Sequence, residues 1–123
     1  MAAPVRLLTH QMRDVTVINL NESSIVDGQQ VEELGAELTK LIDARACKKV
    51  VIDFTQVKFL SSSALGILIR LQKQTREIKG SISLCGLKKE LRQVFKITSL
   101  DKLFSFYENE EEALAAYGVT TAG

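Results

Sequence analysis

VVIDFTQVKFLSSSALGILIRLQKQ, residues 50–74, is the stretch whose reading decides the fold. Its first five residues form a nearly unbroken β-branched and aromatic run, the composition of a strand covered on both faces and so central in a sheet. The connector TQVKFL leads to three consecutive serines, Ser61, Ser62 and Ser63. Beyond them, at about 100° per residue, Ala64, Leu65, Ile67, Leu68 and Leu71 cluster on one side while Arg70, Lys73, Arg76 and Glu77 take the other. This spacing predicts a helix over residues 64–79, ended by Gly80, since glycine accepts the left-handed conformation common just past a helix. Ile69 falls among the charges, where an apolar side chain is a candidate partner contact.

Upstream, residues 5–12 and 15–20 read as two short strands joined by a tight turn at Arg13-Asp14, an antiparallel hairpin. The polar loop NESSIVD follows. Its last residue, Asp27, can cap a helix because its carboxylate accepts from the free amides of a first turn, and Gln30 stands where a reciprocal contact is possible. Val31, Leu34, Leu38, Leu41 and Ile42 then recur at helical spacing, with Glu32, Glu33, Glu37, Lys40 and Asp43 on the other face.

Downstream, SISLC (residues 81–85) alternates like a strand, and Gly86 breaks the chain. Leu87, Leu91, Val94 and Phe95 mark a third helix with Lys88, Lys89, Arg92 and Lys96 outward. Residues 103–107 read as a short edge strand. Glu110, Glu111 and Glu112 favour the first turn of a last helix through its dipole, with Ala113, Leu114 and Tyr117 inward. The alternation of strands and helices predicts an α/β fold: a mixed sheet of four to five strands with about four helices packed on it. Residues 1–118 are expected to make one domain and residues 119–123 a frayed tail.

At 123 residues, 46% hydrophobic and 25% charged, the composition suits one soluble core. Sixteen basic residues against fifteen acidic ones leave no electrostatic footprint for nucleic acid or an anionic membrane, so the expected partners are proteins or small molecules. The apolar runs are too short to cross a bilayer, and the N-terminus has no signal-peptide pattern, which together point to the cytoplasm. Cys47 and Cys85 lie far apart in no metal-ligand spacing and read as small, buried, reduced thiols. His10, the sole histidine, has no cysteine or acidic cluster near it in sequence, so no metal site and no cofactor are expected.

A serine between a strand and a helix can simply cap the helix, a contribution of about 1 kcal/mol that needs one hydroxyl. A nucleophile elbow has the same geometry, but the glycines two residues before and after the serine are missing, and the only histidine lies in a hairpin strand. No catalytic residue and no enzymatic activity are therefore expected. Neither GxxxxGK[ST] nor GxGxxG occurs to cradle a phosphate. Phosphorylation of a serine remains: a phosphate at a helix N-terminus meets free amides and a favourable dipole, so the fold tolerates it, while a partner surface fitted to a neutral hydroxyl does not.

The strand VVIDF, the connector TQVKFL, the turn SSSALG, the later LRQVFKITSLDKLF and the closing EEEAL, in that order and spacing, resemble the STAS domain of bacterial anti-sigma factor antagonists over residues 15–114. The resemblance implies the STAS fold. In that family the turn commonly reads Asp-Ser-Ser-Gly-Leu-Gly, and its first serine is phosphorylated by a serine kinase that is also the anti-sigma factor. Matching Leu65 and Gly66 to the end of the motif carries the acceptor role to Ser62 and the second serine to Ser63. The resemblance further implies that the unphosphorylated form binds the kinase and so frees a sigma factor, and that a metal-dependent phosphatase of PP2C type restores it. Ser61 stands where the motif has aspartate, which removes a negative charge beside the acceptor. Ala64 stands where it has glycine, which reshapes the docking surface. Ser61, Ser63, Ala64 and Ile69 are thereby expected at the partner interface. The loop NESSIVD is longer than the family's usual acidic turn and offers Glu22, Ser23, Ser24 and Asp27 as further contacts. STAS-like domains also serve as non-phosphorylated small subunits of transport or signalling assemblies, which is the alternative function.

Overall fold

In a computed structural model, residues 6–45 and 48–119 are described. The elements run β1 (Leu7–Met12), β2 (Val15–Leu20), β3 (Ser24–Ile25), α1 (Gly28–Arg45), β4 (Lys49–Asp53), β5 (Phe59–Leu60), α2 (Ser62–Glu77), β6 (Ser81–Cys85), α3 (Lys89–Ile97), a 3-10 turn (Leu100–Lys102), β7 (Ser105–Tyr107) and α4 (Glu110–Ala116). Five strands make the main sheet in the order β1, β2, β4, β6, β7, antiparallel between β1 and β2 and parallel elsewhere. The four helices on a mixed five-stranded sheet are the architecture that the alternation predicts.

Strand β4 is central, as its apolar run requires, and alternation along the strands divides the core in two. Ile18, Leu20, Val50, Ile52, Ile82 and Leu84 face α1, α2 and α3. Val15, Val17, Val51 and Cys85 face the opposite way and are covered by Ala113, Leu114 and Val119. One sheet face therefore carries three helices and the other only α4. Helices α1 and α2 pack closely at Gly35, where an added Cβ would stand 2.4 Å from Ile67 Cδ1.

Several local expectations are corrected. Helix α2 begins at Ser62 rather than Ala64, because Ser61 takes the capping position and the two following serines already have helical backbone. At its far end the left-handed residue is Lys79, with φ 62°, and not Gly80. Gly80 answers a different need: a Cβ there would lie 2.4 Å from the carbonyl oxygen of Lys48. Helix α3 starts at Lys89, two residues after Leu87. Val5 and Cys47 lie outside the described residues; Cys85 is buried. Val119, the first residue of the stretch expected to fray, is buried and donates its amide to Leu114 O at 2.9 Å, while residues 120–123 lie outside the described residues.

Candidate docking site at the serine turn

Each of the three serines has a different environment. Ser61 is committed to structure: its Oγ accepts from Ala64 N at 3.1 Å, its amide donates to Ile25 O at 3.1 Å, and its carbonyl accepts from Leu65 N at 3.1 Å. It therefore caps α2 and ties the helix start to β3. Ser62 and Ser63 occupy the first helical turn, are exposed, and their hydroxyls bond to no described residue. Because Ser61 Oγ takes only the Ala64 amide, other first-turn amides stay available to an anion placed there.

The loop NESSIVD and the connector TQVKFL, distant in sequence, are joined by a parallel bridge between β3 and β5, with Ser24 opposite Phe59 and Ile25 opposite Leu60. Ser23 O accepts from both Lys58 N (2.7 Å) and Phe59 N (3.1 Å). This small second sheet delivers Ser23 and Ser24 to the approach of the serine turn. Glu22 sits at its edge, ion-paired to Arg6 at 3.3 Å. Asp27 is exposed and caps α1, its Oδ1 accepting from Gln29 N at 3.0 Å and Gln30 N at 3.1 Å.

Not every expected contact residue reaches the surface. Ala64 is 3% exposed and packs into the core beneath the turn, because the third helical residue points back at the sheet. Ile69 is half-buried. Ser63 lines a groove of ≈ 580 Å³ between α1 and α2, floored by Gly28 and Gly66 and walled by Val31, Glu32, Ile67 and Arg70.

Two exposed apolar residues beside the turn escaped sequence reasoning: Phe59, 62% exposed, and Val26, 51% exposed. Phe59 borders a largely apolar groove of ≈ 470 Å³ with Leu60, Leu91 and Val94, edged by Lys58, Lys88 and Glu90. In the connector, Val57 is fully buried and Phe59 is not, a distinction that residue type alone does not carry. The turn thus combines two uncommitted hydroxyls at a helix start with apolar side chains on either side of the small sheet, the makings of a protein-docking surface.

The family model described as the STAS domain matches residues 7–113. The Bordetella bronchiseptica protein BtrV, assigned as an anti-sigma factor antagonist, is 32% identical over 93 residues, covering 76% of this chain and 79% of that one. The anti-sigma F factor antagonist of Paenibacillus polymyxa is 23% identical over 109 residues, covering 89% and 92%. Among solved structures, unphosphorylated SpoIIAA superposes with a TM-score of 0.77 at 20% identity, covering 94% of this chain and 100% of that one. Phosphorylated SpoIIAA of Bacillus superposes with a TM-score of 0.71 at 22% identity, covering 91% and 99%. At these identities the two superpositions speak for the fold.

Proposed function

The chain belongs to the STAS domain family and resembles anti-sigma factor antagonists, and from that premise we propose that it is a cytoplasmic regulatory switch whose unphosphorylated form binds an anti-sigma serine kinase and is released on phosphorylation at Ser62. The observation that carries this reading is the division of labour in the turn. Ser61 holds the helix start, which leaves the Ser62 hydroxyl exposed and bonded to no described residue at the first position of a 16-residue helix. Serine and aspartate cap helices about equally well, so Ser61 in place of the motif's aspartate keeps the helix start intact. A phosphate on Ser62 adds about −1.5 to −2 charges, favourable at the helix N-terminus and unfavourable under a partner's desolvated surface. Binding is lost while the fold stays, and a PP2C-type phosphatase resets the switch.

Incubation with the cognate kinase and ATP, followed by mass spectrometry, is expected to place one phosphate on Ser62; an active kinase that leaves Ser62 unmodified counts against the reading. Ser62→Asp should weaken kinase binding at least tenfold, with stability within about 0.5 kcal/mol of the parent, the range of exposed substitutions. Purification of the native complex with a transport subunit in place of a kinase would decide for the adaptor function.

A further inference from the structure

A polar cluster sits at the carboxyl ends of the central strands, under the start of α4. The registers of β2 with β4 and of β4 with β6 set Asn19 beside Asp53 and Asp53 beside Cys85. Asn19 Nδ2 donates to Asp53 Oδ2 at 3.1 Å and also to Glu110 Oε2, so one side-chain amide bridges two carboxyl groups. Asp53 Oδ1 accepts two more bonds, from Thr55 N at 2.8 Å and Thr55 Oγ1 at 2.5 Å. Among the described residues the donors beside Glu110 are fewer: it shares the Asn19 amide, and the imidazole Nε2 of His10 stands 3.8 Å from its Oε1.

Among the described residues no lysine or arginine neutralises this pair. Strand β1 contributes His10 and β6 the Cys85 thiol, β7 sets Tyr107 in register beside Cys85, and α4 and its approach carry the further acids Glu108, Glu111 and Glu112. On the connector side, Lys88 donates to the Thr55 carbonyl at 2.5 Å. Among the described residues no lysine or arginine is ion-paired to Asp53 or Glu110. Two carboxylates sharing one donor in a half-buried site repel, and a single proton between them relieves the repulsion. Donor count assigns it: Asp53, with three donors, keeps the charge, and Glu110 takes the proton.

We propose that Asp53 and Glu110 hold one proton between them in the folded protein and that its loss loosens α4 from the sheet, making the grip of α4 sensitive to pH. Electrostatics point the same way. The hydrogen bond with Asp53, followed by burial, pushes the Glu110 carboxyl from an ordinary 4.5 up to about 7. Burial works against the Asp53 charge, but hydrogen bonds from Glu110, Thr55 and Asn19 hold its carboxyl below the usual range. A raised pKa means that Glu110's contribution is complete below 4.5 and is lost as pH rises through about 7. Asp53 acts in the opposite sense, its contribution falling away only in stronger acid. Helix α4 is the element that feels the change, since it begins at Glu110, has only seven residues and is the one described helix on its face of the sheet.

Amide hydrogen exchange in α4, corrected for the intrinsic dependence of exchange on pH, tests this on the full chain. Protection of residues 113–116 is expected to fall on the order of tenfold between pH 5.5 and pH 8. Glu110→Gln, which keeps the Asn19 contact without the charge, should flatten that dependence, and His10→Asn should leave it in place. A dependence unchanged in Glu110→Gln, or abolished in His10→Asn, overturns the proposal. Carbon-13 titration of the side-chain carboxyls in the unaltered protein gives an independent reading. One carboxyl in this pair titrating near neutrality supports it, and both titrating below pH 5 overturn it.

Discussion

At the scale of the residue, neighbouring serines in one turn do different work, and substitution separates them. Ser61→Ala deletes the cap on α2 and is expected to cost about 1 kcal/mol in chemical denaturation, because the Ala64 amide loses its partner. Ser62→Ala removes no bond to a described residue and should leave the denaturation midpoint almost unmoved, while abolishing phosphate incorporation. If Ser61→Ala proves neutral and Ser62→Ala costly, the assignment of cap and acceptor is reversed. The same contrast shows what residue type conveys. A run of three serines announces a capped, modifiable turn. Which hydroxyl is consumed depends on where the helical backbone begins, and that lies two residues earlier than the apolar periodicity suggests, since polar first-turn residues add nothing to an apolar stripe.

At the scale of the element, the strands and helices of the main sheet were legible because each carries its own pattern: alternation in β1, β2 and β6, an apolar run in β4, helical spacing in α1 to α4. Strands β3 and β5 were not. Each is two residues long and exists only by pairing with the other across a long sequence separation, so neither has a period to read. Their absence from the sequence reading hid the feature that unites the site, the small sheet carrying Ser23, Ser24 and Phe59 to the serine turn. Gly80 was misread for a related reason. The chain needs it for the close approach of Lys48, a contact between distant segments, while Lys79 bears the left-handed backbone. The small sheet also yields a test. Phe59 is the largest exposed apolar side chain beside Ser62 and makes a natural anchor, so Phe59→Ala should weaken kinase binding by about 1–2 kcal/mol, roughly five- to thirtyfold, as truncation of a central aromatic does. Calorimetric titration would measure it, and an unchanged affinity would remove Phe59 from the interface. Stability should change little, since the ring is mostly in solvent.

At the scale of the molecule, the sheet separates the face that carries the serine turn from the face held by α4. Helix α2 and the serine turn lie with α1 and α3 over one core cluster, and α4 with Val119 closes the other. Among the described residues, Ala113 and Leu114 of α4 with Val119 bury the valines of β2 and β4 in that second cluster, with Met12, Tyr107 and Tyr117 packed around them, so global stability leans on a short helix remote from the serine turn. Leu114, fully buried, is its main apolar anchor. Leu114→Ala is expected to cost about 2–4 kcal/mol, the transfer free energy of the lost side chain plus the cavity left behind. For a domain of this size that would lower the melting temperature by roughly 8–20 °C. Measured well below the transition, kinase affinity of the same variant should stay within about twofold of the parent, because the sheet between the two faces is a packed, stiff layer. A loss of affinity matching the loss of stability would instead mean that α4 sets the geometry of the serine turn. In that case the proton held by Asp53 and Glu110 would tune partner binding as well as the grip of α4.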